Sequence, residues 1–182
     1  YTRPRAEPQV EHAALLVVDV QRHFSRTDSP APLPALQAVM PNIVELARSF
    51  RRAGRPVVCT RHGRQPGSDE DQMTRWWGGS VMAGEPAHAL APELAPPSSG
   101  VEADLLLDKA RYSAFNGTDL AAWLEQRGCS ALIVCGVMTH LCCESSARDA
   151  FMADLQVCVV ADATASRDED LHLGALRSMA HG

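Results

Sequence analysis

Five short apolar runs punctuate the chain, at residues 13–18, 56–60, 104–107, 131–135 and 156–160. Each is rich in Val, Leu or Ile and lacks clean polar alternation, which is the pattern of strands buried on both faces. Between them lie stretches of helical period at 33–53, 119–127, 144–153 and 169–180. Gly54 and Gly128 stand just past two of these stretches, where C-terminal stops belong. Strand alternating with helix predicts an α/β fold with a mainly parallel sheet flanked by helices. At 182 residues the chain is expected to form a single domain, 1–182.

Two regions depart from this rhythm. Residues 62–99 form a long connection rich in Gly, Pro and Ser, and it carries the adjacent Trp76 and Trp77. Connections of that length inside a compact domain are usually functional, and two indoles need something to cover. They are expected to wall a substrate pocket or to bury against a second subunit. The last helical stretch runs into His181-Gly182 with no strand after it, which leaves room for a sixth strand outside the sequence.

Composition narrows the function. A formal net charge of −5 without a long basic run argues against nucleic-acid or anionic-membrane partners. No apolar stretch approaches the 18 residues of a membrane span. The six cysteines show no disulfide or zinc spacing, so they read as reduced thiols in a cytoplasmic protein.

In a parallel sheet the C-terminal strand ends share one edge, and ligands bind along it. The first run ends in Val18-Asp19-Val20-Gln21, the third in Asp108-Lys109, and the fourth leads through Gly136 to Cys142. A carboxylate, an amine and a thiol thus converge on one edge. A thiol where a strand turns into a helix is biased toward thiolate by the helix N-terminus. Each residue has a plainer role available. Asp19 can cap a turn, Asp108 and Lys109 can be a solvated pair, His140 can cap the helix start, and Cys142 and Cys143 can simply pack.

Three motifs carry a resemblance: Asp19-Val20-Gln21, Lys109-Ala110-Arg111-Tyr112-Ser113-Ala114-Phe115, and Gly136-Val137-Met138-Thr139 through Cys142. Together, in this order, they resemble the isochorismatase-like cysteine hydrolase superfamily over nearly the whole chain. The resemblance implies a doubly wound, three-layer fold, an Asp19-Lys109-Cys142 triad and a cis peptide at Val137–Met138. The motif's register makes Cys142 the nucleophile, and helix neighbours about 100° apart cannot both face the edge, which leaves Cys143 to pack. Backbone amides of Met138 and Cys142 are then the expected oxyanion hole. Substrate contacts are expected from Gln21, Phe24, Trp77, Arg111, Tyr112, Phe115, Thr139 and His140, with Arg61, Arg64 or Arg111 holding a carboxylate.

The resemblance leaves three functions open. The first is hydrolysis of a C–N bond, amide or carbamoyl, through a thioester. The second is isochorismatase-type cleavage of a vinyl ether by Asp19 acting as acid. That branch carries glycine where this chain has Cys142, yet His140, the Arg111-to-Phe115 run and Trp77-Gly78 are closer to it. The third is a non-catalytic or redox-sensing member. Nicotinamidases of the superfamily add an Asp and two His that bind a metal after the second strand. Here that region offers only His62, so no metal or other cofactor is expected and that sub-branch is set aside. The partners expected are a small-molecule substrate and further copies of the chain, as dimer or tetramer.

Overall fold

A computed structural model describes residues 9–95 and 101–182. The elements follow in the order β1 (Ala13–Val18), α1 (Arg22–Ser25), α2 (Pro34–Arg52), β2 (Val57–His62), α3 (Gln72–Trp77), β3 (Leu105–Lys109), α4 (Leu120–Gln126), β4 (Ala131–Val137), α5 (Glu144–Met152), β5 (Gln156–Ala165) and α6 (Glu169–His181). The five strands form one sheet in the order β3-β2-β1-β4-β5, and every pairing is parallel. The chain winds outward from β1 through β2 to β3, then returns to the other side of β1 for β4 and β5. The sheet is therefore doubly wound, and its order reverses between β1 and β4, where a crevice opens at the strand ends.

Side-chain alternation along β1 builds two cores. Ala13, Leu15 and Val17 face Leu36, Met40, Ile43, Ala47 and Phe50 of α2. Their spacing of three and four residues gives α2 one apolar face, and Pro34 in its first turn fits a helix start. Ala14, Leu16 and Val18 face the opposite layer with Leu120 and Leu124 of α4 and Ala150 of α5. The result is a three-layer sandwich with β1 wholly buried at its centre.

Two expectations need correction here. Not all five strands are buried on both faces. β3 and most of β5 are half-buried, because each forms an edge of the sheet and has a neighbour on one side only. β5 also runs longer than its apolar stretch, to Ala165, and a register irregularity against β4 falls between Val134 and Gly136. Asp104 precedes β3 rather than opening it. Its carboxylate accepts the Val57 N–H (2.8 Å) and pairs with Arg51 (2.6 Å), which fastens the start of β2 to the end of α2.

Among the described residues no helix is long and apolar enough to cross a membrane. All six cysteines are free.

Candidate active site

Asp19 leaves β1 with φ 49°, in the left-handed region that a non-glycine residue enters only when its surroundings hold it there. Thr60 of β2 does the holding. Its hydroxyl accepts the Asp19 N–H (3.0 Å) and donates to Asp19 Oδ1 (2.6 Å). Oδ2, the other carboxylate oxygen, lies 2.7 Å from Lys109 Nζ. Lys109 ends β3, two strands from β1, so only a long side chain spans the roughly 10 Å between them. The ammonium also donates to the Arg111 carbonyl (3.0 Å).

Cys142 arrives from the other side of the crevice. β1 and β4 pair with Val18 opposite Gly136. Beyond the cis peptide Val137–Met138, residues Thr139–Cys143 make a π-helical turn before α5 begins. Gly136, at φ 112°, is required where it stands. A Cβ there would lie 2.2 Å from the Val18 carbonyl oxygen, so the close approach of β4 to β1 depends on the missing side chain.

Asp19, Lys109 and Cys142 are thus brought together and nearly sealed, at 0%, 3% and 8% exposure. Their electrostatics follow from that burial. Burial pushes the Cys142 thiol up to about 12. The Asp19 charge raises it further, and Lys109 pulls the other way. Burial works to lower the Lys109 pKa, but Asp19 and then Cys142 raise it overall, so the amine stays charged. The bias toward thiolate expected from the helix N-terminus is therefore overturned: desolvation outweighs it, and the resting group is a thiol. Cys143 is fully buried against the α4–α5 layer, which accounts for the second cysteine as packing.

Several residues expected to face substrate are committed elsewhere. Gln21 is fully buried. Its Nε2 donates to the carbonyls of His62 (3.1 Å) and His88 (3.0 Å), and its Oε1 accepts the His62 N–H (2.8 Å). It ties the start of the long connection to His88, and both of its Nε2 hydrogens are taken. Arg111 pairs with Asp71 (2.6 Å), and Trp77 Nε1 donates to the Tyr112 hydroxyl (3.0 Å). These two ties hold α3 against the turn after β3. Trp76 and Trp77 themselves remain 73% and 51% exposed. Phe24 packs on the α2 layer, while Tyr112 and Phe115 pack on the opposite one. Thr139 Oγ1 meets His172 Nδ1 (2.9 Å) and His140 Nδ1 meets Ser166 Oγ (2.9 Å), which binds the Cys142 turn to α6 and the end of β5.

The arginines offered for a carboxylate are likewise engaged. Arg61 forks onto Asp108 (2.7 and 3.0 Å), Arg111 holds Asp71, and Arg64 donates to Ser68. The reactive centre itself pairs one negative with one positive charge. An open groove of about 600 Å³ between α2 and the Pro92–Glu93 turn is lined by none of these residues.

Thr60, Ser166 and His172 were not singled out in the sequence, and His62 stood out only as a lone histidine without further metal ligands beside it. Thr60 left a signal, since it is the polar residue that closes an apolar strand. Ser166 and His172 left none, because their partners lie 26 to 33 residues away. His62 stands beside Lys109, Asp19, His23 and Asp71. Burial first, and then the Lys109 charge, hold its imidazole down to about 4, so it is neutral.

Comparison with known proteins identifies the family. The isochorismatase domain model matches residues 13–182. The chain belongs to the isochorismatase family. It is 36% identical to nicotinamidase 3 of Arabidopsis thaliana over all of this chain and 87% of that protein. It is 34% identical to an isochorismatase of Bacillus subtilis over 93% of the chain, which spans only 53% of that longer protein. A crystal structure of a cysteine hydrolase from Pseudomonas syringae superposes with a TM-score of 0.89 at 27% identity, covering 100% of this chain and 91% of that one. The protein is accordingly a hydrolase of this family. Similarity to a nicotinamidase over the whole chain keeps that sub-branch among the readings. Among the described residues no group of three or more His, Cys, Asp or Glu side chains is placed to hold a metal ion.

Proposed function

We propose that the protein hydrolyses the C–N bond of a small, uncharged carboxamide or carbamoyl compound by covalent catalysis at Cys142. The observation that carries this reading is the buried contact of a thiol with an Asp19–Lys109 ion pair. A thiol with its pKa near 12 is a poor nucleophile until a base takes its proton, and Asp19 is the carboxylate beside it. Asp19 accepts the Sγ proton as sulfur attacks the carbonyl carbon, and Lys109 balances the charge that moves onto sulfur. Backbone amides of Met138 and Cys142 hold the oxyanion. One such donor is worth about 2.7–4 kcal/mol. Asp19 then passes the proton to the leaving nitrogen, and the amine departs from a thioester. Water, deprotonated by Asp19, attacks the thioester and releases the acid and the thiol.

The engaged arginines favour an uncharged substrate over a multiply charged acid. Similarity to a nicotinamidase supports the amide branch. The test is a screen of small amides, ureido acids and isochorismate with the wild type and Cys142→Ala. Amide turnover that disappears in the variant is the expected result. Vinyl ether cleavage that survives in Cys142→Ala, with no amide turnover in the wild type, refutes the proposal.

A further inference from the structure

His62 ends β2, the strand between Lys109 and Asp19, and it is register-paired with Lys109. Its backbone is held on both sides by Gln21, so the ring's position is fixed independently of the ring's own contacts. Its Nδ1 is buried and has no partner. His140 and His172, by contrast, each place Nδ1 against a hydroxyl, while His88 Nε2 also lacks a hydrogen bond but has the Asp108 carboxylate 3.6 Å away. Buried polar atoms nearly always find partners. An unmatched one beside the reactive groups is therefore open to a ligand atom.

We infer that His62 determines specificity, its Nδ1 hydrogen-bonding the carboxamide or carbamoyl head of the substrate. This rests on the amidohydrolase reading above. A neutral imidazole carries one donor and one acceptor, and a carboxamide carries both complements. A carboxylate would meet the Asp19 charge as well as that of Lys109, and the two cancel. The neutral state is secured by burial and by Lys109, so the contact does not change sign across the working pH range.

Benzamide is the probe, titrated calorimetrically at pH 7 into Cys142→Ala, which cannot be acylated. Adding His62→Leu should weaken binding at least about tenfold, the size of one lost hydrogen bond at a buried site. His62→Gln in the same background, which restores a donor and an acceptor, should recover most of it, and benzoate should bind weakly to all three. In the protein that keeps Cys142, His62→Leu should leave the rate of thiol modification by methyl methanethiosulfonate unchanged, because that reagent has no amide to recognise. Equal benzamide affinity with and without His62, no benzamide binding at all, or a parallel fall in thiol modification would each overturn the inference. Binding that follows the expected pattern while the wild type fails to hydrolyse any amide would sink the amidohydrolase reading and leave the His62 contact standing.

Discussion

Lys109 Nζ lies 2.7 Å from Asp19 Oδ2, and the two side chains are buried together although their strands are not neighbours. Removing either partner strands a charge away from water. Lys109→Met should cost about 3–5 kcal/mol of stability, because the uncompensated Asp19 carboxylate stays buried. For a domain of this size that is a fall in melting temperature on the order of 10 °C. Turnover should fall with it. A Lys109→Met protein that melts like the wild type would show that the pair is solvated in solution.

Thiol modification offers a second measurement. With Cys142 held near 12, its alkylation by iodoacetamide should keep rising with pH beyond 9, with no plateau near neutrality. The sign for Asp19→Asn follows from the charges. Asp19 raises the thiol pKa and Lys109 lowers it, so deleting the carboxylate leaves Lys109 unopposed. Alkylation at pH 8 should therefore become faster in Asp19→Asn, while amide turnover drops by about 10²–10⁴ for want of the proton carrier. Slower alkylation in that variant would mean that Asp19 acts on the thiol as its base more than through its charge.

Gln21 is expected to act through structure alone. Gln21→Leu keeps the volume but leaves the His62 N–H and the His62 and His88 carbonyls without their partner. Unfolding in urea should register a loss of about 2–3 kcal/mol. If stability were unchanged and only KM rose, Gln21 would be a substrate contact after all.

Gly136 and Gly128 separate strain from collision. Both have positive φ, at 112° and 65°. Gly128 has nothing within 4 Å of an added Cβ, so Gly128→Ala should cost only the backbone penalty, about 1–2 kcal/mol. Gly136→Ala would press a Cβ to within 2.2–2.9 Å of the Val18 backbone, which no rotamer change relieves. That variant should fail to accumulate as folded protein, and a soluble, two-state Gly136→Ala would disprove the close β1–β4 approach.

Much of the fold was legible because burial on a central strand selects Val, Leu and Ile whatever the rest of the protein does. β1 was read to the residue and α2, α4, α5 and α6 to within a residue, while the short α1 and α3 were not read as helices. The edge strands were read less well. Apolar residues on β3 and β5 look like those of β1, and only the strand order reveals that one side has no neighbour. The candidate site divides the same way. Asp19, Lys109 and Cys142 were visible as reactive groups at strand ends, since parallel topology alone puts them on one edge.

The state in which each group is held there depends on tertiary contact. The protonation of Cys142 depends on burial and on two charges from other strands, neither of which its own segment encodes. Gln21, Arg111, Thr139 and His140 carry the right chemistry for substrate contacts. Their hydrogen bonds are instead taken by partners distant in sequence, because a buried polar atom binds whatever the fold brings to it. His62 is the converse case, an unremarkable histidine in a loop-like stretch until the sheet sets it between Lys109 and Asp19. The sequence by itself thus determined the layers, the strand ends and the reactive groups, through hydrophobic period and residue type. Only the tertiary structure decided charge state and hydrogen-bond partnership, because both depend on distances between groups that the linear chain leaves far apart.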